Sequence, residues 1–293
     1  MGETPEGLRF NVMEALSRGD LRGAIAYLER VMAGTGDVLV KGLAHAFHAE
    51  LLLRCGGDPE RVSADLSIAY ECLADSPIDL TAVLLSAALL HSNRGDLTKL
   101  EMIVSRAEDL VARHPEASIC LGRLYQFRGR IFAAVGRYEE AEAAYDQGLA
   151  CIEAYDEPYE QQQRRESVLV LAAWVQIRRG RLTEAAASLE GACGSLATPA
   201  TAACYRAARA ELCTAEGDYS AAEQLLAIEF PAGEAAIYGE LARAELAATR
   251  ANQAACDEHR TEVKRLARQL LMEWAIAAAG RAGEIAAKGG RVR

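Results

Sequence analysis

Two histidines three residues apart, His45 and His48, with Glu50 close behind, are the first residues whose type and spacing could do chemistry. On one face of a helix they offer two nitrogen ligands to a metal ion. A metal site needs a third protein ligand from another element, and the sequence assigns none, so the other reading is a pair of helix histidines satisfied by hydrogen bonds. A second set is cationic and aromatic. Arg123 and Arg130 stand a little under two helical turns apart, and Trp174 and Arg178 follow one turn apart further along the chain. Guanidinium groups donate forked hydrogen bonds to a carboxylate, and an indole supplies flat apolar contact. The competing reading pairs these arginines with Glu and Asp on neighbouring helices and packs Trp174 between helices. His91 falls where an apolar side chain would pack and is expected to be a hydrogen-bonded histidine of a helix contact.

The rest of the usual catalytic vocabulary is missing. The chain has no G-x-x-x-x-G-K-[ST], no G-x-G-x-x-G after a strand, no G-x-S-x-G and no H-E-x-x-H. Its eight cysteines, at 55, 72, 120, 151, 193, 204, 213 and 256, form no C-x-x-C pair and do not alternate regularly with histidine, so reduced thiols within helix contacts are expected. No catalytic residue, metal or cofactor is predicted. The net charge of −10 opposes direct, sequence-independent binding to nucleic acid, which rests on clustered cations. No apolar run is long enough to span a bilayer and the first residues do not resemble a leader, so the expectation is a cytoplasmic chain with no membrane contact.

The elements that must carry these residues are helices. Apolar residues make up 51% of the chain and aromatics only 6%, which suits packing through Ala and Leu. Turn signals recur at Gly19-Asp20, Gly57-Asp58, Gly95-Asp96, Gly136-Arg137, Gly180-Arg181 and Gly217-Asp218. Each supplies a glycine to reverse the chain at positive φ, and four supply an aspartate to cap the next helix. Predicted helices run over about 5–18, 20–34, 37–55, 59–75, 77–94, 96–114, 115–135, 137–155, 157–179, 181–196, 198–216 and 218–229. The seven prolines all fall at helix starts or connections, where the missing N–H does no harm. A weaker pair follows: a helix near 232–250, a turn at Ala251-Asn252-Gln253, and one capping helix from about 254 whose apolar residues run from Val263 through Trp274 to Ala278.

One hairpin is regular enough to compare with a known family. With Gly122 as position 1 of a 34-residue unit, Tyr125 falls at 4, Gly129 at 8, Phe132 at 11, Gly136 at 15, Tyr138 at 17, Ala141 at 20 and Tyr145 at 24. This resembles a tetratricopeptide (TPR) repeat, departing at 27 and 32, where Gly148 and Glu153 stand. In that pattern Gly129 and Ala141 let the two helices touch, while Tyr125, Phe132 and Tyr145 fill the seam to the next hairpin. The turn glycines are spaced 37 to 44 residues apart, a looser period similar to the TPR-like domains of maltose-regulator-type bacterial transcription activators. Those proteins also carry an ATPase domain and a helix-turn-helix, neither of which is evident.

The resemblance implies an all-α fold: one right-handed α-solenoid domain over 1–293, of about seven hairpins (5–34, 37–75, 77–114, 115–155, 157–196, 198–230 and 232–288) with a C-terminal capping helix. It further implies that first helices line a concave groove. The residues so placed are Phe47, Leu51 and Arg54 in the second repeat and Leu85, Leu89 and Asn93 in the third. Arg123, Gln126 and Arg130 follow in the fourth, and Val170, Trp174 and Arg178 in the fifth. The Lys/Asn clamp of chaperone-tail-binding TPR domains is not reproduced. The function implied is a non-enzymatic scaffold that binds a peptide or protein segment in this groove; the alternative is a sensor of a small molecule or signal peptide acting through a separate effector. Homodimerisation through the C-terminal hairpin is a further expectation.

Overall fold

A computed structural model describes residues 3–18, 20–153, 158–192, 199–231, 233–270 and 272–287. Among these the secondary structure is entirely helical, with fifteen α-helices and one 3-10 segment. The first six are α1 (Pro5–Ser17), α2 (Leu21–Gly34), α3 (Val38–Cys55), α4 (Pro59–Leu73), α5 (Pro77–Asn93) and α6 (Leu97–Arg113), followed by the 3-10 segment Pro115–Cys120. Then come α7 (Leu121–Ala134), α8 (Tyr138–Glu153), α9 (Pro158–Arg178), α10 (Leu182–Ala192) and α11 (Pro199–Glu216). The series closes with α12 (Tyr219–Leu226), α13 (Glu234–Thr249), α14 (Gln253–Gln269) and α15 (Glu273–Ala287). The chain divides into two compact units, residues 1–91 with 98–121 and residues 92–97 with 122–293.

Five of the turns follow one chemical recipe. Backbone N–H groups of Gly57, Arg137, Arg181, Asp218 and Asn252 each donate to the carbonyl five residues earlier, at 2.7 to 2.9 Å, the closure that satisfies orphan carbonyls at a helix end. The residue before each closure is left-handed: Gly56, Gly136, Gly180 and Gly217, and at the last turn Ala251 at φ 55°. The sequence reading put the reversal at Gly57; it lies one residue earlier, because the donor of the closing bond must follow the left-handed residue. Asp20, Asp37, Asp58 and Asp218 cap the following helices through their carboxylates, and Asn252 caps α14 through its amide oxygen. The turn expected at Gly19 lies outside the described residues.

In the first unit α3 and α4 form an antiparallel hairpin flanked by α2. Gly42 permits the approach: a Cβ there would stand 2.7 Å from the Leu73 side chain. Arg106 of α6 lies over the Tyr70 ring of α4, 4.3 Å from its centroid. In the second unit the α7–α8 hairpin closes at Gly129, where an added Cβ would lie 2.4 Å from the Tyr145 ring. Tyr145 therefore fills the contact inside its own hairpin as well as the seam to α9, where Phe132, Ala141, Val168 and Val175 surround it. Further along, α9 packs on α10 and α11, α11 on α13, and α13 on α14 and α15.

Two expectations are corrected. The helix expected over 115–135 starts as a tighter 3-10 turn before α7 begins at Leu121. The single capping helix from about 254 is two helices, broken between Gln269 and Glu273. Met272 N–H closes on Ala267 O at 2.8 Å, and α15 then packs on both α13 and α14. The break divides the apolar stripe: Val263 and Ala267 serve α14, while Trp274, Ala275, Ala278 and Ala279 serve α15.

Candidate binding site

Four helices of the second unit bring one stripe each to a common slot, and α8 adds two tyrosines. From α9 come Leu171, Trp174, Val175 and Arg178, spaced i, i+3, i+4 and i+7 so that they share a face. Arg130, Ala133 and Ala134 come from α7, Tyr138 and Tyr145 from α8, Tyr238 from α13, and Trp274 and Ala278 from α15. The depression with its mouth encloses about 450 Å³, but the closed part is only about 20 Å³. That is near the minimum for one water molecule, roughly 10–15 Å³. Its floor is aromatic. The Trp174 and Tyr238 rings meet edge to face at 5.0 Å, and Tyr238 lies 5.4 Å from Trp274, separations at which ring quadrupoles attract. Both tryptophans of the chain are therefore in this one place.

Arg130 is the best-held group of the site. Its Nη2 donates to Ser92 Oγ at 2.8 Å and Asn93 Oδ1 at 3.2 Å, and its Nη1 to Glu234 Oε1 at 2.7 Å. Its guanidinium carbon lies 5.4 Å from the Phe127 ring centroid and 5.3 Å from that of Trp274. Burial opposes its charge, but Glu234 more than offsets that, so the guanidinium is held above its ordinary value. Ser92 and Asn93 are buried, whereas the Glu234 side chain is 38% exposed. The buried partners are neutral and the counter-charge is the exposed member.

Arg178 is tied differently. Its Nη2 donates to Glu211 Oε2 at 3.0 Å, and Glu245 Oε2 lies 2.9 Å from its Nη1. Two carboxylates thus share one guanidinium inside the protein. Burial pushes the Glu211 carboxyl up to about 7, with the Glu245 charge adding to the rise and Arg178 opposing it. Burial likewise raises the Tyr145 and Tyr238 hydroxyls, so both are neutral donors throughout the physiological range.

The other candidates lie elsewhere. In the first unit His45 Nδ1 and His48 Nδ1 lie 2.7 and 2.6 Å from the two oxygens of Asp65 on α4. Burial pushes Asp65 up, but the two histidine hydrogen bonds more than reverse this and hold it at about 2. Both Nδ1 atoms thus share one carboxylate, and no group of three or more side chains that could hold a metal ion is found among the described residues. Among the described cysteines none is in a disulfide; Cys120, Cys213 and Cys256 are buried, while Cys55 is exposed rather than packed in a helix contact. Cys193 lies outside the described residues.

Of the residues assigned to a groove, the structure brings Arg130, Trp174 and Arg178 together in the slot. Gln126 donates to Ser167 Oγ at 2.8 Å, joining α7 to α9, and Arg123 lies 5.7 Å from the Phe127 ring centroid. Val170 is in the core between α9, α10 and α11, and Asn93 serves Arg130. In the first unit Leu51 is buried in the core, while Phe47, Leu85 and Leu89 are half-buried. The Arg54 side chain lies outside the described residues.

Sequence reasoning missed Glu211, Glu234, Tyr238, Glu245 and Asp65. A signal existed for three of them. Asp65 interrupts the buried stripe Val62, Leu66, Ala69 and Leu73; Glu211 shares a face with Ala207, Ala208 and Thr214; Glu245 shares one with Leu241, Ala242 and Ala248. A carboxylate on an apolar helix face must find a buried partner.

With this geometry in view, the relatives are informative. No protein-family model matches the chain. It is 33% identical over 79 residues to the Photosystem I assembly protein Ycf3 of Rippkaea orientalis, a match over 26% of this chain. The chain spans only 46% of that relative's length. Its fold is similar to the crystal structure of a tetratricopeptide repeat protein from Parabacteroides merdae, with a TM-score of 0.53 at 14% identity, over 96% of this chain and 98% of the other. The chain thus has a TPR-like helical-repeat fold. No helix among the described residues is long and apolar enough to cross a membrane.

Proposed function

We propose that this chain is a non-enzymatic helical-repeat scaffold that binds a protein or peptide segment, with the slot of the second unit as its anchor point. The observation that carries this reading is the convergence of Arg130, Arg178, Trp174, Tyr238 and Trp274 on one depression. Aromatic and arginine side chains anchor protein contacts in this way, because they combine large apolar area with directed hydrogen bonds. An apolar side chain enters the slot, and a neighbouring carboxylate takes the place of Glu234 on Arg130. The exchange costs little, since Glu234 is exposed enough to regain water, and Ser92 and Asn93 keep the guanidinium in place. A relative named as an assembly protein supports a protein partner rather than a reaction. Groove residues Arg123 and Gln126 extend the surface along α7, and Phe47, Leu85 and Leu89 offer half-buried apolar area in the first unit.

A second reading, a small-molecule or signal-peptide sensor acting through a separate effector, is favoured by the partial enclosure of the slot by α7, α9, α13 and α15. One variant separates the readings. Ala133, half-buried on the slot wall, is replaced by Trp to block entry without touching a polar contact. Wild type but not Ala133→Trp retains a protein from host lysate if the scaffold reading holds. A small molecule retained alone supports the sensor, and equal retention by both variants removes the slot from either function.

A further inference from the structure

The structure assigns a proton-binding switch to the Arg178, Glu211 and Glu245 cluster, which sets how Arg178 and Trp174 present themselves in the slot. This rests on the proposed function only for its purpose, not for its existence. One guanidinium on α9 faces a carboxylate on α11 and another on α13. With both acids ionised the cluster carries one uncompensated negative charge, with Glu211 fully buried and Arg178 and Glu245 largely so, an arrangement that favours taking up a proton.

The position of that proton follows from hydrogen-bond geometry. Glu211 Oε2 accepts from Arg178; Glu211 Oε1 and Glu245 Oε2 are both buried without a well-formed hydrogen bond, although Glu245 Oε2 lies 2.9 Å from Arg178 Nη1 and the Trp174 indole N–H faces Glu211 and favours its charged form. Glu245 Oε2 has a guanidinium nitrogen beside it, so the proton goes to Glu211 Oε1, where it removes the excess charge while leaving Oε2 to accept from Nη2. Glu245 then balances Arg178 one to one. The groups facing Glu211 are Arg178 and the Trp174 indole from α9 and Glu245 from α13; Tyr138 of α8 faces Arg178. α10 and α12, which also pack on α11, present Ala185, Leu189, Ala222 and Leu226, none of which titrates. No second cation is among these groups.

Loss of the proton puts two like charges on one guanidinium, and the helices that carry them, α11 and α13, are both packed against each other and tied to α9 by Arg178. Arg178 and Trp174 sit on that junction and on the slot wall at once, 5.6 Å from guanidinium carbon to ring centroid. The state of the cluster is therefore read out at the slot. Partner binding would differ between the two protonation states, with the slot best ordered when the cluster is neutral.

The chain carries its own reporter. In a Trp274→Phe background Trp174 is the remaining tryptophan, and its emission is followed from pH 5 to pH 9 on the full chain. A single step centred near 7 is expected, lost in Glu211→Gln and kept in Glu234→Gln. Glu245→Gln removes the like charge and is expected to lower the midpoint, which keeps the test open should Glu211→Gln not fold. Absence of any step between pH 5 and 9, or a step unmoved by both Glu211→Gln and Glu245→Gln, overturns the switch. Because no partner is involved, failure here leaves the scaffold reading standing, and failure of lysate capture leaves the switch standing.

Discussion

Replacing Asp65 by Asn tests whether one buried carboxylate ties α3 to α4. The native carboxyl is held at about 2 against a usual 3.8, a difference worth about 2 kcal/mol at roughly 1.4 kcal/mol per pH unit. Because the folded value is depressed, this stability is fully present above pH 3.8 and is lost as the pH falls toward 2. Asn keeps one acceptor oxygen for one histidine and turns an NH₂ toward the other Nδ1, which must change tautomer to accept from it. The expected loss at pH 7 is therefore about 2–3 kcal/mol, with charge-assisted bonds replaced by neutral ones. Amide exchange read peptide by peptide, corrected for intrinsic rates, suits a chain of two units in which a single unfolding free energy is not defined. The α3 and α4 amides of Asp65→Asn should open about 30-fold more often at pH 7, the factor that 2 kcal/mol implies, and the gap should close toward pH 2. Unchanged protection at pH 7, or an equal loss at pH 2 and pH 7, would refute the role given to Asp65.

Three further outcomes follow from the second unit. Gly129→Ala places a methyl group 2.4 Å from the Tyr145 ring and should cost about 1–3 kcal/mol, read from amide exchange of α7 and α8; Tyr145→Phe, which keeps the clashing ring carbons, should not relieve it. Arg130→Ala strands Ser92 and Asn93 and removes a buried charge from Glu234, so a loss of about 3–5 kcal/mol is expected; Arg130→Lys, which keeps the charge without the fork, should recover less than half of it. Glu211 has a folded value raised from 4.5 to about 7, so its contribution is present below 4.5 and is lost as the pH rises through 7. Exchange protection of α9, α11 and α13 should therefore fall from pH 5 to pH 8 in the wild type and stay level in Glu211→Gln.

Much of the helical plan was legible before the structure, because turns are written in local chemistry. Gly136, Gly180 and Gly217 mark left-handed turns, and Asp20, Asp58 and Asp218 cap the helices they precede. The one-residue displacement at Gly56-Gly57 shows the limit of that signal, since either glycine can take positive φ and only the closing bond selects one. The C-terminal break was not legible: Val263 through Ala278 keeps a helical apolar rhythm across residues 270–272, and only packing of Trp274 near Tyr238 divides it. Repeat register placed Arg130, Trp174 and Arg178 on first helices, and the structure brings them to one slot. Their acids were not, because Glu211, Glu234 and Glu245 come from helices 33 to 104 residues away, and no local spacing records such a pairing.

The scaffold reading turns on whether the slot of the second unit takes hold of a partner. The most direct measurement is retention of host proteins by wild type and by Ala133→Trp, with exchange protection confirming that both are folded. A protein held by wild type and released by the blocked variant is the predicted result. The same proteins held equally by both would contradict it and return Arg130, Trp174 and Arg178 to a purely structural role.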